Sequence, residues 1–204
     1  MSPVAKGEDG LARCAWCLST PDYQSYHDDE WGRPVGDENR VYEKLCLEGF
    51  QAGLSWLTIL RKRAAFRDAF ASFDPAAVAV YGEGDVERLM SDASIVRNRA
   101  KILAAIGNAK ATLALHDRQT SLAALLWEHE PARKKAPKSD ESVPPSTPES
   151  KALSAALIKN GFRFVGPTTV YAAMQSLGVV NDHLGGCAFR KACESERDAF
   201  TPPE

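Results

Sequence analysis

The sequence predicts an all-α protein. Apolar residues recur at helical spacing along much of the chain, and no segment shows the sustained apolar–polar alternation of a half-buried strand. Apolar residues make up 44% of the 204 residues, which is enough for a hydrophobic core, and the length suggests one domain. We therefore predict a single domain over residues 13–190, with tails at 1–12 and 191–204.

Caps and periodic apolar positions predict the helices in order along the chain. Val41, Leu45 and Glu48 share one helical face, which predicts a helix around them. Asp74 followed by a proline is typical of a helix start. The helices predicted from there run from this proline to Val80, from a cap at Asp85 to Met90, from about Arg97 to Leu115, from near Glu149 to Asn160 before Gly161, and from Thr169 to Leu177.

A proline-rich segment interrupts the helical pattern at about residues 130–149. Prolines at 131, 137, 144, 145 and 148 stand there among lysines and serines. Because proline lacks a backbone donor and stops helices, we predict a solvated loop at this place. We do not predict a boundary between two cores.

Charge and cysteine content restrict the class of protein. The net charge is −2, whereas nucleic-acid binders are usually basic, although a local basic face can still bind phosphates. Five cysteines is an odd number, which favours reduced thiols or a metal site over a disulfide scaffold. No apolar run approaches the roughly 20 residues of a membrane span, and residues 1–10 lack the apolar stretch of a signal peptide. We expect a cytoplasmic protein.

Cysteines and histidines occur together near both ends of the chain. Cys14, Cys17 and His27 lie near the start, and His183 and Cys187 stand four apart near the end. Zinc commonly binds two thiolates and two imidazoles in a closed tetrahedron, so two residues from each end would complete a structural site. Cys14 and Cys17 compete for one position. The Cys-x-x-Cys pair could instead be redox active, although the flanking strand–helix pattern of a thioredoxin-like site is missing.

An aromatic-rich segment precedes a helix that carries a carboxylate on its buried face. Trp16 and Tyr26 belong to this segment, and Trp56 follows the helix. Glu48 falls on the face predicted to be buried, where a carboxylate is costly unless a donor or a cation meets it. The functional interpretation is a carboxylate in an aromatic-lined pocket. The alternative is that the helix ends early, that Glu48 faces water and that the aromatic residues are ordinary packing.

Three basic residues crowd a predicted helix start. Arg97, Arg99 and Lys101 occupy the first turns, where the positive end of the backbone dipole normally favours acidic residues. An external anion at the turn would explain this, because free N–H groups at a helix start bind phosphate. The alternative is a solvated basic face. The short helix, turn and longer helix over about residues 85–115 resemble a helix–hairpin–helix, a sequence-independent grip on the DNA backbone.

Three ordered blocks of residues resemble the 3-methyladenine DNA glycosylase I family. They are Tyr26-His-Asp-x-Glu-Trp31-Gly, then Cys46-Leu-Glu-Gly-x-Gln-Ala-Gly-Leu-Ser-Trp56, and Gly161-Phe-x-Phe-Val-Gly166 leading to Val180-Asn-Asp-His183. The resemblance covers roughly residues 14–187. It implies a helix–hairpin–helix enzyme that removes 3-methyladenine from alkylated double-stranded DNA, with one structural zinc ion joining the chain ends.

The resemblance also implies roles for individual residues. Glu48 falls on the carboxylate that reads the adenine edge, and it is the candidate catalytic residue. Leu54 falls in the loop expected to wedge into the duplex beside the extruded nucleotide. The remaining implied residues are the base-binding Tyr26, Trp56, Tyr23 and Trp16, the DNA-backbone contacts Arg97, Arg99 and Lys101, and the zinc ligands Cys14, His27, His183 and Cys187.

Departures from the family pattern and rival functions complete the set of expectations. Ser94 stands where the family often has glycine, and Ala100 stands where a glycine can also occur. A positive φ at Ser94 would cost about 1 kcal/mol or more. One rival is a zinc-stabilised module that binds lesions without cutting. Another is a thiol oxidoreductase that uses Cys14 and Cys17. We expect a monomer that binds no nucleotide cofactor and no membrane.

Overall fold

The computed structural model describes residues 4–204, and helices dominate it. None of the helices in this range has the length and apolar character needed to cross a membrane. Short 3₁₀ helices occur at Ala15–Ser19, Ala71–Phe73 and Asp140–Ser142. The regular elements are β1 (Val4–Lys6), β2 (Ala12–Cys14), α1 (Pro21–Asp29), α2 (Glu38–Gln51), α3 (Trp56–Ala69), α4 (Pro75–Ala79), α5 (Glu83–Ser91), α6 (Arg99–His116), α7 (Leu122–Trp127), α8 (Pro148–Lys159), α9 (Pro167–Ser176) and α10 (Arg190–Ala199).

The helices predicted from caps are present, with one correction. Asp74 caps α4 by accepting a 2.9 Å hydrogen bond from the N–H of Ala76. Asp85 does not cap α5, since it lies inside the helix and accepts a 3.1 Å hydrogen bond from the N–H of the capping residue, Gly82. α6 begins at residue 99, after Asn98 as its cap. These helix starts were therefore predicted from local sequence to within three residues.

Both predicted tails contain structure, which corrects the sequence-based boundaries. At the start, β1 pairs antiparallel with β2, while residues 1–3 lie outside the described range. At the end, α10 covers most of the segment predicted to be a tail and buries Cys193 and Arg197. Arg197 donates a 2.7 Å hydrogen bond to the carbonyl of Val179. The prediction was wrong because α10 is mostly polar and buries only a narrow face.

α2 runs through the centre of the domain. All residues from Val41 to Phe50 are buried, and α3, α6, α7 and α9 contact this helix. A helix enclosed on every side is normally apolar all round. This one nevertheless contains Glu43, Lys44 and Glu48. Because buried charges need partners, these side chains mark the places where α2 meets other polar groups.

The connection between α5 and α6 is held by side-chain hydrogen bonds. The Asp92 carboxylate accepts a 2.8 Å hydrogen bond from the N–H of Ser94. From α3, the ammonium of Lys62 donates to the carbonyls of Ala93 and Ser94, at 3.2 and 2.8 Å. Ser94 is not among the positive-φ residues of the described range. The strain considered for a serine at this place therefore does not arise.

Backbone contacts bring the last third of the chain against the first. Gly178 has φ +72°, and a Cβ there would lie 2.4 Å from the carbonyl carbon of Arg33, so only glycine fits this close crossing. Further along, Ala188 donates a 2.8 Å backbone hydrogen bond to Ala12 in β2. The segment between these two contacts contains His183, which is thereby placed beside the first residues of the chain.

Candidate active site and metal centre

Two cysteines and two histidines from the ends of the chain meet in the interior. The side chains of Cys14, His27, His183 and Cys187 are buried, and their ligand atoms all lie within 4.8 Å of one another. The Cys187 sulfur is 3.6 Å from Nε2 of His27 and 3.4 Å from Nδ1 of His183. Cys17 is also buried but is not part of this group. Two thiols and two imidazoles around one point can hold a metal ion.

Outer hydrogen bonds orient both imidazoles of this Cys/His cluster. Nδ1 of His27 lies 2.7 Å from a carboxylate oxygen of Asp28, and Arg13 holds that carboxylate with a 2.7 Å ion pair. Nε2 of His183 lies 3.0 Å from the carbonyl oxygen of Trp31. One nitrogen of each ring is thus engaged outside the cluster. The other nitrogen faces inward, as metal-ligating histidines require.

Proton sharing inside the cluster favours a thiolate at one sulfur. A hydrogen bond from the Cys14 thiol, together with hydrogen bonds from His183 and His27, holds the pKa of Cys187 far below its usual value. The same hydrogen bond and then burial raise the pKa of Cys14. Metal ions bind thiolates, so a bound cation would take the place of the proton that the two sulfurs share.

The redox interpretation of the Cys-x-x-Cys pair finds no support in this geometry. Cys14 and Cys17 both have 0% exposure. Thiol–disulfide exchange needs an accessible thiolate, whereas the raised pKa of Cys14 keeps that sulfur protonated. The paired cysteines are therefore interior groups.

An open cavity of about 440 Å³ adjoins the cluster. Tyr26 and His27 are neighbours on α1, and the first faces the cavity while the second enters the cluster. The ring centres of Tyr26 and Trp56 are 5.5 Å apart. The structure brings together in this cavity the five predicted base-site residues Trp16, Tyr23, Tyr26, Glu48 and Trp56, and adds Trp31, Gln51, Asp140, Val143, Ala172, Gln175 and Asp182.

Glu48 lines the cavity and is only 6% exposed. The alternative in which this carboxylate faces water is therefore wrong. Its charge is met by the ammonium of Lys44, one helical turn earlier, at 2.8 Å. Lys44 also donates a 2.9 Å hydrogen bond to the hydroxyl of Tyr26. Burial lowers the pKa of Lys44, while the nearby carboxylate opposes that shift.

Trp56 closes the cavity from the start of α3. Trp56 is 9% exposed, and the centre of its ring lies 3.3 Å from the ammonium of Lys44. The indole Nε1 is buried and has no hydrogen-bond partner among residues 4–204. A buried donor without a partner is costly and is uncommon in native structures. The cavity wall is therefore left incompletely satisfied in the protein alone.

Leu54 lies in the turn between α2 and α3, next to this wall. It is 44% exposed. Lys101 in α6 holds the same turn, because its ammonium donates to the carbonyls of Phe50 and Ala52 at 2.9 and 2.6 Å. Lys101 is 9% exposed, so it is not the free surface cation that the sequence predicted. Its place in the first turn of α6 reflects this internal contact.

The two arginines of the predicted basic face are exposed. Arg99 forms an ion pair with Glu83 in α5. Arg97 has no ion pair within the described part of the chain. Of the three basic residues, Arg97 is therefore the one with an uncommitted guanidinium, and Arg99 would have to exchange a partner to bind an external anion.

Comparison with known proteins decides the family. The family model for methyladenine glycosylases matches residues 16–191 of this chain. The chain belongs to the methyladenine glycosylase family. It is 48% identical over 180 residues to DNA-3-methyladenine glycosylase 1 of Escherichia coli K12, an alignment that covers 87% of this chain and 96% of that protein.

Solved structures of the methyladenine glycosylase family share the fold. A crystal structure of 3-methyladenine DNA glycosylase I aligns with a TM-score of 0.83 at 47% identity, covering 86% of this chain and 98% of the other. A second structure is that of 3-methyladenine DNA glycosylase I from Staphylococcus aureus, solved to show how that enzyme recognises 3-methyladenine. It aligns with a TM-score of 0.83 at 33% identity, covering 87% of this chain and 96% of the other.

Sequence reasoning missed several residues that line this family member's cavity or contact its lining residues. Lys44 stands four residues before Glu48, a spacing that favours an ion pair on a helix and could have been noticed. Asp182 precedes His183 and accepts hydrogen bonds from Tyr171 at 2.6 Å and from Gln175 at 2.9 Å. The residues from the proline-rich loop, at 140 and 143, carried no sequence signal.

Proposed function

We infer that this protein hydrolyses the N-glycosidic bond of 3-methyladenine in alkylated double-stranded DNA. The observation that carries this inference is the position of Glu48, a buried carboxylate facing an aromatic cavity that is large enough for a small molecule. The relatives named as DNA-3-methyladenine glycosylases support the same activity.

The cavity suits a base that has left the helical stack. An enzyme that acts on a base must extrude it from the duplex and hold it by stacking and edge contacts. The rings of Tyr26 and Trp56 offer the stacking surfaces, and Tyr23 and Trp16 extend them, with ring centres 4.9 Å apart. Glu48 can accept a hydrogen bond from the exocyclic amine of adenine. Guanine presents an oxygen at that position, so the carboxylate selects adenine.

The reaction needs little help from acids and bases. Methylation at N3 makes the adenine cationic, so the base is a good leaving group. The bond from C1′ to N9 breaks with its electron pair going to N9, and water then adds to C1′ and releases a proton. Interactions that strengthen toward the departing base lower the barrier to this step. Glu48 is therefore assigned to reading the base and shaping the charge around it.

We propose that the Cys/His cluster binds one zinc ion with a structural role. The donor set is the one zinc prefers, and all four positions are filled by protein, so no position is open for water. Cys14 and His27 would hold the ion from the first part of the chain, and His183 and Cys187 from the last. Bound there, zinc would supply cross-linking of the chain ends.

We propose that α5 and α6 form the helix–hairpin–helix that grips the DNA backbone. The N–H groups at the start of α6 and the exposed Arg97 and Arg99 are suited to phosphate. Leu54 is proposed to enter the duplex in the space left by the extruded nucleotide, since its apolar side chain is 44% exposed. Lys101 then acts indirectly, by holding the turn that carries Leu54.

We further propose a monomeric protein of the cytoplasm. All five cysteines are free thiols in the structure, which suits a reducing compartment.

A base-release assay tests the proposed activity. Methylated duplex DNA is incubated with the protein, and released bases are identified by chromatography; we expect free 3-methyladenine. The variant Glu48→Gln should lower the rate by about 100-fold or more, because truncating a buried charged contact costs several kcal/mol. The exposed Glu128→Gln is the matched control and should leave the rate unchanged. Binding of methylated DNA without base release would support the non-catalytic module instead.

A further inference from the structure

A small cavity between the proline-rich loop and α10 is lined mainly by cations. Its volume is about 50 Å³, compared with about 440 Å³ for the base cavity, so it suits a group of a few atoms. We call it the basic pocket. The charged side chains that line it are the cations Arg133, Lys134, Lys135, Arg190 and Arg197 and the carboxylates Asp182 and Glu194.

The two carboxylates that line the basic pocket are already shared among several donors. The carboxylate of Glu194 lies 2.7, 3.3 and 3.4 Å from three guanidinium groups, those of Arg133, Arg190 and Arg197. One oxygen of Asp182 accepts two hydrogen bonds from side chains of α9. The lining of the pocket therefore holds more positive than negative charge.

Arg197 carries a buried charge that its neighbours satisfy only in part. It is 5% exposed, and its Nε is buried without a hydrogen-bond partner among residues 4–204. Its other carboxylate partner, Glu130, lies at 2.9 Å but is also 3.4 Å from Arg133. Burial, and after it the charge of Arg133, lowers the pKa of Arg197. A buried cation in these surroundings is stabilised by an added anion.

Lys134 and Lys135 supply two exposed ammonium groups at the edge of the basic pocket. Neither forms an ion pair within the described part of the chain. The loop that carries them is fixed nearby, because the N–H of Gly185 donates a 2.8 Å hydrogen bond to the carbonyl of Pro137. Proline also restricts the backbone of this loop. The two ammonium groups are thus held beside the pocket without being used by the protein itself.

We propose that the basic pocket is an anion-binding site that takes a phosphate group, with Lys134 and Lys135 as its outer contacts. Guanidinium and ammonium groups are the side chains that most often bind phosphate. The site is an addition to the region shared with the family, because Glu194 and Arg197 lie beyond residue 191, where the family match ends.

The phosphate group can come from two sources. Asp182 lines both the basic pocket and the base cavity, so the two are neighbours. A DNA strand whose extruded base occupies the base cavity would carry its phosphates past this edge, and this source rests on the proposed function. Free inorganic phosphate is the other source, and it requires no DNA.

Calorimetry with inorganic phosphate tests the site directly. The dissociation constant is measured for the full-length protein at constant ionic strength. The double variant Lys134→Ala/Lys135→Ala should bind phosphate about tenfold or more weakly, because it loses two charge-assisted contacts. Lys134→Arg/Lys135→Arg keeps both charges and should bind like the wild-type protein. The matched control, Lys6→Ala/Lys110→Ala, removes two exposed lysines that do not line the pocket and should also bind like the wild-type protein.

Duplex binding then separates the two sources. If the phosphate belongs to DNA, Lys134→Ala/Lys135→Ala should weaken binding of methylated duplex and reduce its salt-dependence slope by about one, and inorganic phosphate should compete with the duplex. If the site takes free phosphate, the variant should lose phosphate affinity and keep the wild-type slope.

Phosphate affinity and a salt slope that both match those of Lys6→Ala/Lys110→Ala would overturn the proposal. So would a wild-type protein that binds no inorganic phosphate and whose salt slope is unchanged by Lys134→Ala/Lys135→Ala. A wild-type protein that releases no base defeats the proposed function, whereas the calorimetric comparison with inorganic phosphate decides the basic pocket alone.

Discussion

The Cys/His cluster and the base cavity are neighbours that bury polar groups in opposite ways. In the cluster, the four ligand atoms lie within 4.8 Å of one another, and the Asp28 carboxylate and the Trp31 carbonyl accept hydrogen bonds that fix both imidazoles. In the cavity, the indole nitrogen of Trp56 has no partner within the described range, and about 440 Å³ of space is open. Tyr26 and His27 are adjacent on α1: Tyr26 lines the cavity, and His27 belongs to the cluster.

The difference teaches which region serves stability and which serves binding. A closed set of four donors gains free energy by holding an ion and gains nothing by admitting a ligand. An open cavity lined by aromatic rings and a carboxylate offers its surfaces to a ligand, and the buried donor in its wall costs stability. Changes in the cluster should therefore alter unfolding first, and changes in the cavity should alter activity first.

Removing the metal should have the largest effect. If the cluster holds zinc, folding is coupled to a binding free energy on the order of 10 kcal/mol, so a strong chelator should unfold the protein at much lower denaturant concentration. Cys187→Ala should do the same. Cys46→Ala, a buried thiol outside the cluster, should cost only about 1–2 kcal/mol. Metal analysis and urea titration measure both, and a chelator without effect would contradict the metal centre.

Replacing Trp56 should lower activity more than it lowers stability, the reverse of removing the metal. Stacking on an aromatic side chain contributes about 1–3 kcal/mol per base, so Trp56→Leu should lower base release by roughly 10- to 100-fold. Trp127→Leu is the matched control. Trp127 is also buried, at 5% exposure, but it packs on Phe200 and does not line the base cavity. Both variants should lose comparable stability in thermal melts. Equal losses of activity would show that the cavity has no special role.

Asp28 tests whether the outer hydrogen bonds support the cluster. Loss of such a contact typically weakens metal binding by about 10- to 100-fold, so Asp28→Asn should release metal faster to a chromogenic chelator. The neighbouring Asp29 is exposed and accepts a 3.2 Å hydrogen bond from the hydroxyl of Ser25. Asp29→Asn should release metal at the wild-type rate. Identical release from both variants would remove Asp28 from the metal site.

Arg97 should give the smallest effect, because it lies outside both regions. Arg97→Ala should weaken duplex binding a few-fold and reduce the salt-dependence slope by about one, as expected for one lost phosphate contact. The dissociation constant of free 3-methyladenine should not change. A change in base binding would mean that the cavity and the basic surface are not separate.

The sequence predicted the helices and the cluster better than it predicted the chain ends and the charges. Helix starts are local, so the cap Asp74 was found from its neighbours and the start of α6 was predicted within two residues of residue 99. The choice of Cys14 over Cys17 depends on where the last third of the chain lies, which no local pattern shows. α10 was missed because its buried face is formed by residues such as Arg197, whose partners are distant in sequence.

In the base cavity, too, the sequence did not reveal features that depend on contacts between distant parts of the chain. Glu48, Tyr26 and Trp56 were correctly predicted to lie together, because the family pattern marks them. The family pattern did not mark Lys44. Its burial requires α1 and α3 to close over α2, and only that packing turns an ordinary helical spacing into an enclosed ion pair. Lys101 was misjudged for the same reason.

The contact made by Lys101 sets the distance between the start of α6 and the turn that carries Leu54. Its ammonium ties the first turn of α6 to the carbonyls that end α2, directly before the turn carrying Leu54. The proposed backbone grip and the proposed wedge are thus parts of one stiff piece. If α6 binds DNA phosphates as proposed, the position of those phosphates would determine which nucleotide along the strand lies opposite the cavity.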